Sequence, residues 1–598
     1  MKAAHYEVHD NVAVITFANP PVNGLSYALR SAIAEYVAQA NANEAIDAIV
    51  LTGTERAFSG GADVREFGTD LAFKEPILKN LIATIEDNPK PIVAAIDGVA
   101  LGGGFELALG AHFRVARSSA RVGLPEVNLG IIPGAGGTQR LPRVVGVEKA
   151  LPMILEATLV SARDLADTDL FVKVVDEDVV GAAIEFAKTL KASGLTARKV
   201  RDMPIRPDNA QDILQEQYEW AQARYPHFPA KAQAVKAVLD GAVLGFDKGL
   251  PNERAIFLEL VQSPQSVALR YVFGSERAAA RIPGLERDTP TRSVHSVGVL
   301  GQGEAAHALA SAFNTAGLVV TQVARVEQAE SHLKHCDMLV EAVPGTNKEK
   351  EAAVLALAQI AGPNTIVTTT STESLAALAA QLPVPGSLVR VLPNLAVFSG
   401  SMWELGRTEQ TQPEVLATLL ALARKAAVHP FSTLPDSVGA GERLLDVYLR
   451  AAHDLLELGL SRKDVDQALT QFGFTVGPFE VAQVLGREQL RLSAVRDEAS
   501  APTTQELGPL MMAVLANEGA RLLSEGVVGR AMEIDMIAVH GYGIGRFLGG
   551  PMHFSEQYGL DNCAALLERL AQVFGADRSV WQPAALLQQR ISEQGKWG

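Results

Sequence analysis

Strand-like and helix-like patterns alternate twice along this chain, separated by a stretch in which the strand signals fade, and that order restricts the fold more than any other feature. In the first run, residues 12–17 and 48–52 are strand-like and β-branched, and residues 27–40 between them carry helical spacing. In the second, the apolar Ser296-Val297-Gly298-Val299-Leu300 runs into a glycine turn, and alternation continues to residue 430. Such alternation predicts α/β layers. Helical patterns dominate residues 191–285, at 212–223, 230–239 and 253–281, and the chain beyond 430 is mostly helical. That last part holds a weak duplication. Leu455-Leu456-Glu457-Leu458-Gly459, Asp466, Gly473-Phe474 and Gly477-Pro478 are echoed by Leu522-Leu523-Ser524-Glu525-Gly526, Asp535, Gly541-Tyr542 and Gly550-Pro551, which predicts two related helical lobes. At about 150 residues per domain, 598 residues make about four folding units.

Composition removes several function classes. With 48% apolar and 20% charged residues the chain is globular rather than disordered or fibrous. Its most apolar stretch, residues 91–104, is interrupted by Asp97 and falls short of the ~18 residues that cross a bilayer, so no membrane insertion is expected. A net charge of −15 opposes binding to a polyanionic duplex, and nucleic acid is not an expected partner. Cys336 and Cys563 are too far apart for a metal knuckle and too few for a disulfide framework, which fits a reducing compartment. Residues 1–7 lack the apolar core of a secretory signal and residues 595–598 are not a peroxisomal address, so the expected location is cytoplasmic.

Chemistry concentrates between residues 57 and 143. Ala57-Phe58-Ser59-Gly60-Gly61-Ala62-Asp63 follows a strand, and Gly102-Gly103-Gly104-Phe105-Glu106 places a glycine turn before an apolar helical segment. Both turns expose backbone N–H groups, and a helix N-terminus adds unpaired donors. Facing each other, they would form an oxyanion hole. Further on, Gly123-Leu124-Pro125-Glu126 and Ile131-Ile132-Pro133-Gly134 put a second carboxylate in an apolar, turn-rich setting of the kind that raises a carboxyl pKa. One glutamate to give a proton and one to activate water are what hydration of a polarised double bond requires. Each feature alone is more often a plain turn or a solvated carboxylate; their joint order is what carries the reading.

Residues 10–190 resemble the crotonase, or enoyl-CoA hydratase, superfamily. The resemblance implies a spiral ββα fold, Glu106 and Glu126 as the catalytic pair 20 positions apart, Ala62 and Gly103 as oxyanion donors, and Gly134 as the glycine that helps position water. The implied substrate is a coenzyme A thioester and the product a 3-hydroxyacyl-CoA, with no cofactor needed for hydration and no metal motif. Residues 250–598 resemble the 3-hydroxyacyl-CoA dehydrogenase half of the multifunctional fatty-acid β-oxidation enzymes, through Ser263-Pro264-Gln265-Ser266, Ile282-Pro283-Gly284-Leu285, Gly477-Pro478-Phe479-Glu480 and Gly549-Gly550-Pro551. The organisation this implies is an α/β multidomain chain: crotonase domain 1–190, helical connector 191–290, Rossmann-like doubly wound domain 291–430, and all-α lobes 431–505 and 506–598.

The second half departs from its family at the residues that do the redox work. Gly301-Gln302-Gly303-Glu304-Ala305-Ala306 fits a dinucleotide turn, with Gly301, Gly303 and Ala306 as its contacts. The acidic residue that should bind the ribose falls at Ala324, followed by Arg325. Leu392 stands where the family has its histidine base, though Glu404, the residue that would orient it, is retained. A leucine cannot take the hydroxyl proton. The Asn-Thr-Ser segment reads Thr370-Ser371-Thr372, the later asparagine falls near Gly441 or Glu442, and Lys350 matches a retained lysine. These losses argue against NAD binding. The expected function is therefore enoyl-CoA hydratase with an inactive dehydrogenase half. The alternatives are a bifunctional hydratase and dehydrogenase, an enoyl-CoA isomerase, and a non-catalytic acyl-CoA-binding assembly subunit. The expected state is a monomer or small homo-oligomer, with a thiolase or aldolase as a possible partner.

Overall fold

The computed structural model describes the chain apart from residues 1, 55, 67–68, 194–196, 208, 280, 395–396, 399–400, 437–438, 488–499 and 598. It divides into two compact units, Met1–Val267 and Ala268–Gly598.

The first unit is built on two sheets. The larger has six strands in the order Ala4–His9, Val12–Phe17, Ala48–Thr52, Ile92–Ile96, Phe113–Arg117 and Lys173–Val175, parallel except for the first pair. The smaller has Ala57–Ser59, Val99–Leu101, Arg121–Gly123 and Val160–Ser161. Consecutive strands go one to each sheet and a helix follows: 48–52, 57–59 and helix Leu78–Glu86; 92–96, 99–101 and helix Gly103–Gly110; 113–117, 121–123 and helix Gly137–Val145. This is the expected ββα spiral. Period-two side chains explain why the larger sheet is buried on both faces. Ile49 and Leu51 enter the main core, whereas Ala48 and Val50, with Val12, Val93 and Val115, pack under Val179, Ala183 and Leu190 of helix Val179–Ser193.

Residues expected as a separate connector, 191–290, are divided between the two units. Helices Ala210–Arg224, Pro229–Leu244 and Phe246–Leu260 belong to the first unit. Ala230, Ala234, Val235 and Val238 form a helical stripe, and it is buried in the same core as the spiral.

In the second unit, seven strands run in the order Val319–Val323, Ser296–Leu300, Met338–Glu341, Ile366–Thr369, Leu388–Pro393, Met402–Gly406 and His429–Ser432, with only the 388–393 and 402–406 pair antiparallel. The glycine turn lies at the carboxyl end of the Ser296–Leu300 strand, where strand order reverses.

Beyond it, the two expected lobes share one hydrophobic core that takes in Leu444, Leu469, Leu510, Ile534 and Leu567. The duplication is visible as a repeated capping device. Asp466 accepts from Phe479 N (3.0 Å) and Glu480 N (3.3 Å), and Asp535 accepts from Met552 N (2.6 Å) and His553 N (3.1 Å), each at the start of a helix opened by Gly-Pro. The repeats also pair with each other, through Thr475 N to Gly543 O and Gly545 N to Gly473 O, both 2.8 Å.

Candidate active site

The two glycine turns meet. Gly102 adopts φ +51° and ψ −129°, a conformation open to glycine, and starts the helix Gly103–Gly110, whose first N–H has no intrahelical acceptor. A β-carbon on Gly103 would sit 3.3 Å from Ala62 N, so the two backbone donors are neighbours. Gly61, at φ +101°, passes so close to Leu101 O that a side chain there would stand 2.8 Å from it. Gly103→Ala is expected to fold, because the nearest atom to the added methyl is the flexible Leu78 Cδ2 at 2.7 Å. It should lower the kcat of this site by about tenfold, short of the ~10²-fold of a deleted oxyanion donor. Steady-state kinetics on an enoyl thioester measures it.

The glutamates occupy different electrostatic settings. Glu106 is buried, and its Oε1 accepts from Ala135 N and Gly137 N, both at 2.8 Å. Burial raises its pKa, while those two N–H groups and the Arg140 and Arg254 charges pull the other way. Glu126 lies against the Gly102 turn, where a β-carbon would meet its Oε1 at 2.8 Å. Its Oε2 is buried and has no hydrogen-bond partner among the described residues. Burial, then the charge of Glu106, holds the Glu126 carboxyl well above the ordinary carboxylate range. Both carboxyls are pushed up, but Glu106 less than Glu126, so Glu106 is the easier of the two to ionise and Glu126 the better proton donor.

Both glutamates, with Ala62, Gly103 and Gly134, line one cleft that is partly open to solvent. Its apolar wall includes Leu25, Ile77, Leu78 and Ile132. The structure therefore brings together all five residues expected at the hydration site. It also adds residues from helix Phe246–Leu260 that sequence reading missed. Phe257 covers Gly134, where a β-carbon would clash with its ring at 2.6 Å; Arg254 Nη1 lies 3.4 Å from Gly134 O; and Glu253 is fully buried beneath the 135–138 turn. A signal was present, since Glu253 shares one helical stripe with buried Phe246, Gly249 and Leu260.

In the second unit Gly301 and Gly303 form a tight turn between the Ser296–Leu300 strand and the helix Glu304–Thr315. Gly301, at φ +136°, lies so close to Ala342 O that a β-carbon would stand 2.1 Å away, and Ala306 is buried in the helix that follows Gly303. On the ribose side the expected acidic residue is missing. Ala324 follows the second strand with no acceptor, and Arg325 beside it is exposed. Leu392 is paired across the sheet with Glu404. Glu404, fully buried, accepts from Ala440 N (2.6 Å) and Gly441 N (3.0 Å) and so caps the helix Ala440–Leu456. Next to it, the Tyr542 ring fills the space beside Gly441. Thr370 N and Thr369 Oγ1 donate to buried Glu341, and Lys350 Nζ donates to Thr370 O at 3.3 Å.

Comparison with known proteins places these geometries in context. Residues 7–240 match the family described as enoyl-CoA hydratase/isomerase. Residues 319–433 match the 3-hydroxyacyl-CoA dehydrogenase NAD-binding domain, and residues 440–505 its C-terminal domain. A peroxisomal bifunctional enzyme from Pongo abelii is 29% identical, with 99% of this chain and 97% of the relative covered. A peroxisomal fatty acid beta-oxidation multifunctional protein from Arabidopsis thaliana is 26% identical, over 97% and 96%. Among solved structures, an enoyl-CoA hydratase from Bacillus anthracis is 27% identical and covers 46% of this chain and 96% of its own, with a TM-score of 0.31.

Proposed function

Because the chain belongs to the family of multifunctional fatty-acid β-oxidation enzymes, we propose that its first unit hydrates 2-enoyl-CoA thioesters to 3-hydroxyacyl-CoA. The observation that carries this is the contrast between Glu106, which accepts two N–H bonds, and Glu126, which has a buried oxygen without a partner among the described residues. The thioester oxygen accepts from Ala62 N and Gly103 N, which draws electrons from the double bond. Glu106 takes a proton from water as its oxygen bonds to the β-carbon, and Glu126 gives its proton to the α-carbon. Isomerisation needs only one carboxylate as proton shuttle, so retention of two favours hydration. Loss of the conjugated enoyl absorbance on mixing protein with a 2-enoyl-CoA tests the reading. No turnover at any chain length would favour an acyl-CoA-binding assembly subunit instead.

The second half carries two readings. The comparisons favour a bifunctional enzyme over an inactive dehydrogenase half, because both dehydrogenase domains match their families and the relatives are named bifunctional or multifunctional. Side-chain chemistry weighs the other way, since Leu392 cannot act as base and Glu404 is committed to a helix cap. Formation of reduced nicotinamide from a 3-hydroxyacyl-CoA separates them. The Leu392 substitution predicts none with NAD, and steady production would establish the bifunctional reading. For location, buried unpaired Cys336 and Cys563 suit a reducing compartment such as the cytoplasm, while the relatives are named peroxisomal. Among the described residues no helix is long and apolar enough to cross a membrane.

A further inference from the structure

Four successive amides, 135–138, point alternately at two carboxylates that come from different elements. Ala135 N and Gly137 N donate to Glu106 Oε1, both at 2.8 Å. Gly136 N donates to Glu253 Oε1 at 2.7 Å, and Thr138 N and Thr138 Oγ1 donate to Glu253 Oε2 at 3.0 and 2.6 Å. Gly136 permits this alternation with φ +108°. The turn cannot shift toward one carboxylate without leaving the other, so the position of Glu106 depends on Glu253.

We propose that Glu253 is a positioning residue for the hydration reaction: it fixes the 135–138 amides so that Glu106 keeps one oxygen free for water. The inference rests on the hydratase reading above. The charged groups that face Glu253 are Glu106, Glu126, Arg140 and, on its own helix, Arg254. Burial and the neighbouring Glu106 push Glu253 itself up to about 8, so its negative charge develops toward the alkaline end of the working range. That charge raises the pKa of Glu126 further. Without it, Glu126 loses its proton at lower pH.

The test uses the full chain with Glu253→Gln, which keeps the size, removes the charge and puts an NH2 donor in place of one of the two oxygens that accept from Gly136 N and Thr138 N. The expected kcat on a 2-enoyl-CoA falls by about 10- to 10²-fold, the scale of a misplaced catalytic group, with KM within about threefold. The alkaline limb of the kcat profile moves to lower pH, which a purely structural role would not produce. Glu253→Asp restores the charge, so its alkaline limb returns toward wild type even though kcat stays low. Amide exchange across residues 134–140, which needs no turnover, is faster in Glu253→Gln. A folded Glu253→Gln protein with wild-type kcat and alkaline limb, or with unchanged exchange, overturns the proposal. Absence of turnover in the wild-type chain overturns the hydratase reading itself and the Glu126 part with it.

Discussion

Full-length Glu126→Gln is expected to hydrate a 2-enoyl-CoA about 10²- to 10⁴-fold more slowly than wild type, the cost of a lost general acid, and Glu106→Gln is expected to fall by a similar factor. Neither glutamine breaks an ion pair among the described residues, where the pairs near the cleft join Glu86 with Arg140, Glu66 with Arg30 and Asp63 with Arg65. The pH profile distinguishes the two roles. Glu106 works ionised, so turnover is lost as pH falls through its pKa; Glu126 works protonated, so turnover is lost as pH rises through its pKa. Burial raises both. The whole bell therefore lies on the alkaline side of ordinary carboxylate titration, with Glu126 setting the upper limb. In Glu126→Gln the residual rate should lose that upper limb, and in Glu106→Gln the lower one. Full kcat in either variant would sink the assigned chemistry.

The contacts that form this site differ in how far they can be read from local sequence. Glycine turns, a proline-flanked glutamate and strand periodicity are local, and they carry the resemblance that implies Ala62, Gly103, Glu106, Glu126 and Gly134, five residues that line one cleft. Glu253 is not local: its donors at Gly136 and Thr138 lie 117 and 115 residues away. Its sole trace in the sequence is a carboxylate on an apolar stripe, and a stripe does not name what buries it. The helices between 210 and 260 give no local sign of the core they join, since fading strand signals mark a change of element type and not a change of core. In the C-terminal part the Asp and Gly-Pro spacing was legible as duplication because each copy encodes its own helix cap. The shared core was not, although helix Thr504–Ser524 is apolar nearly all round and must be surrounded by other elements. Glu404 shows the opposite case, a residue kept in sequence whose contacts have changed, from a histidine's expected partner to the cap of helix Ala440–Leu456.

The largest stability effect is expected from a pair that touches no substrate. Arg140 and Glu86 are both buried, with Arg140 Nη2 at 2.6 Å and Nε at 3.1 Å from the two carboxylate oxygens. Glu86→Ala leaves the guanidinium inside the core without its partner and should destabilise the first unit by about 3–5 kcal/mol. Denaturant unfolding of the full chain, followed by loss of hydratase turnover, measures this. Arg140→Met combined with Glu86→Ala should recover much of the loss, because removing both charges abolishes the uncompensated one and methionine fills the space. The single change should also reach the chemistry. Arg140 Nη1 donates to Ala135 O at 3.1 Å, and Ala135 N donates to Glu106. Released from Glu86, the arginine is drawn toward Glu106 and Glu253, the two nearby carboxylates it already stabilises as anions. Closer approach lowers the pKa of Glu106 and makes it a weaker base, so the acid limb of the rate profile should move to lower pH while kcat falls. A Glu86→Ala protein with wild-type stability would show that water reaches Arg140 in its place. One that is destabilised without any move of the acid limb would confine the pair to a role in packing.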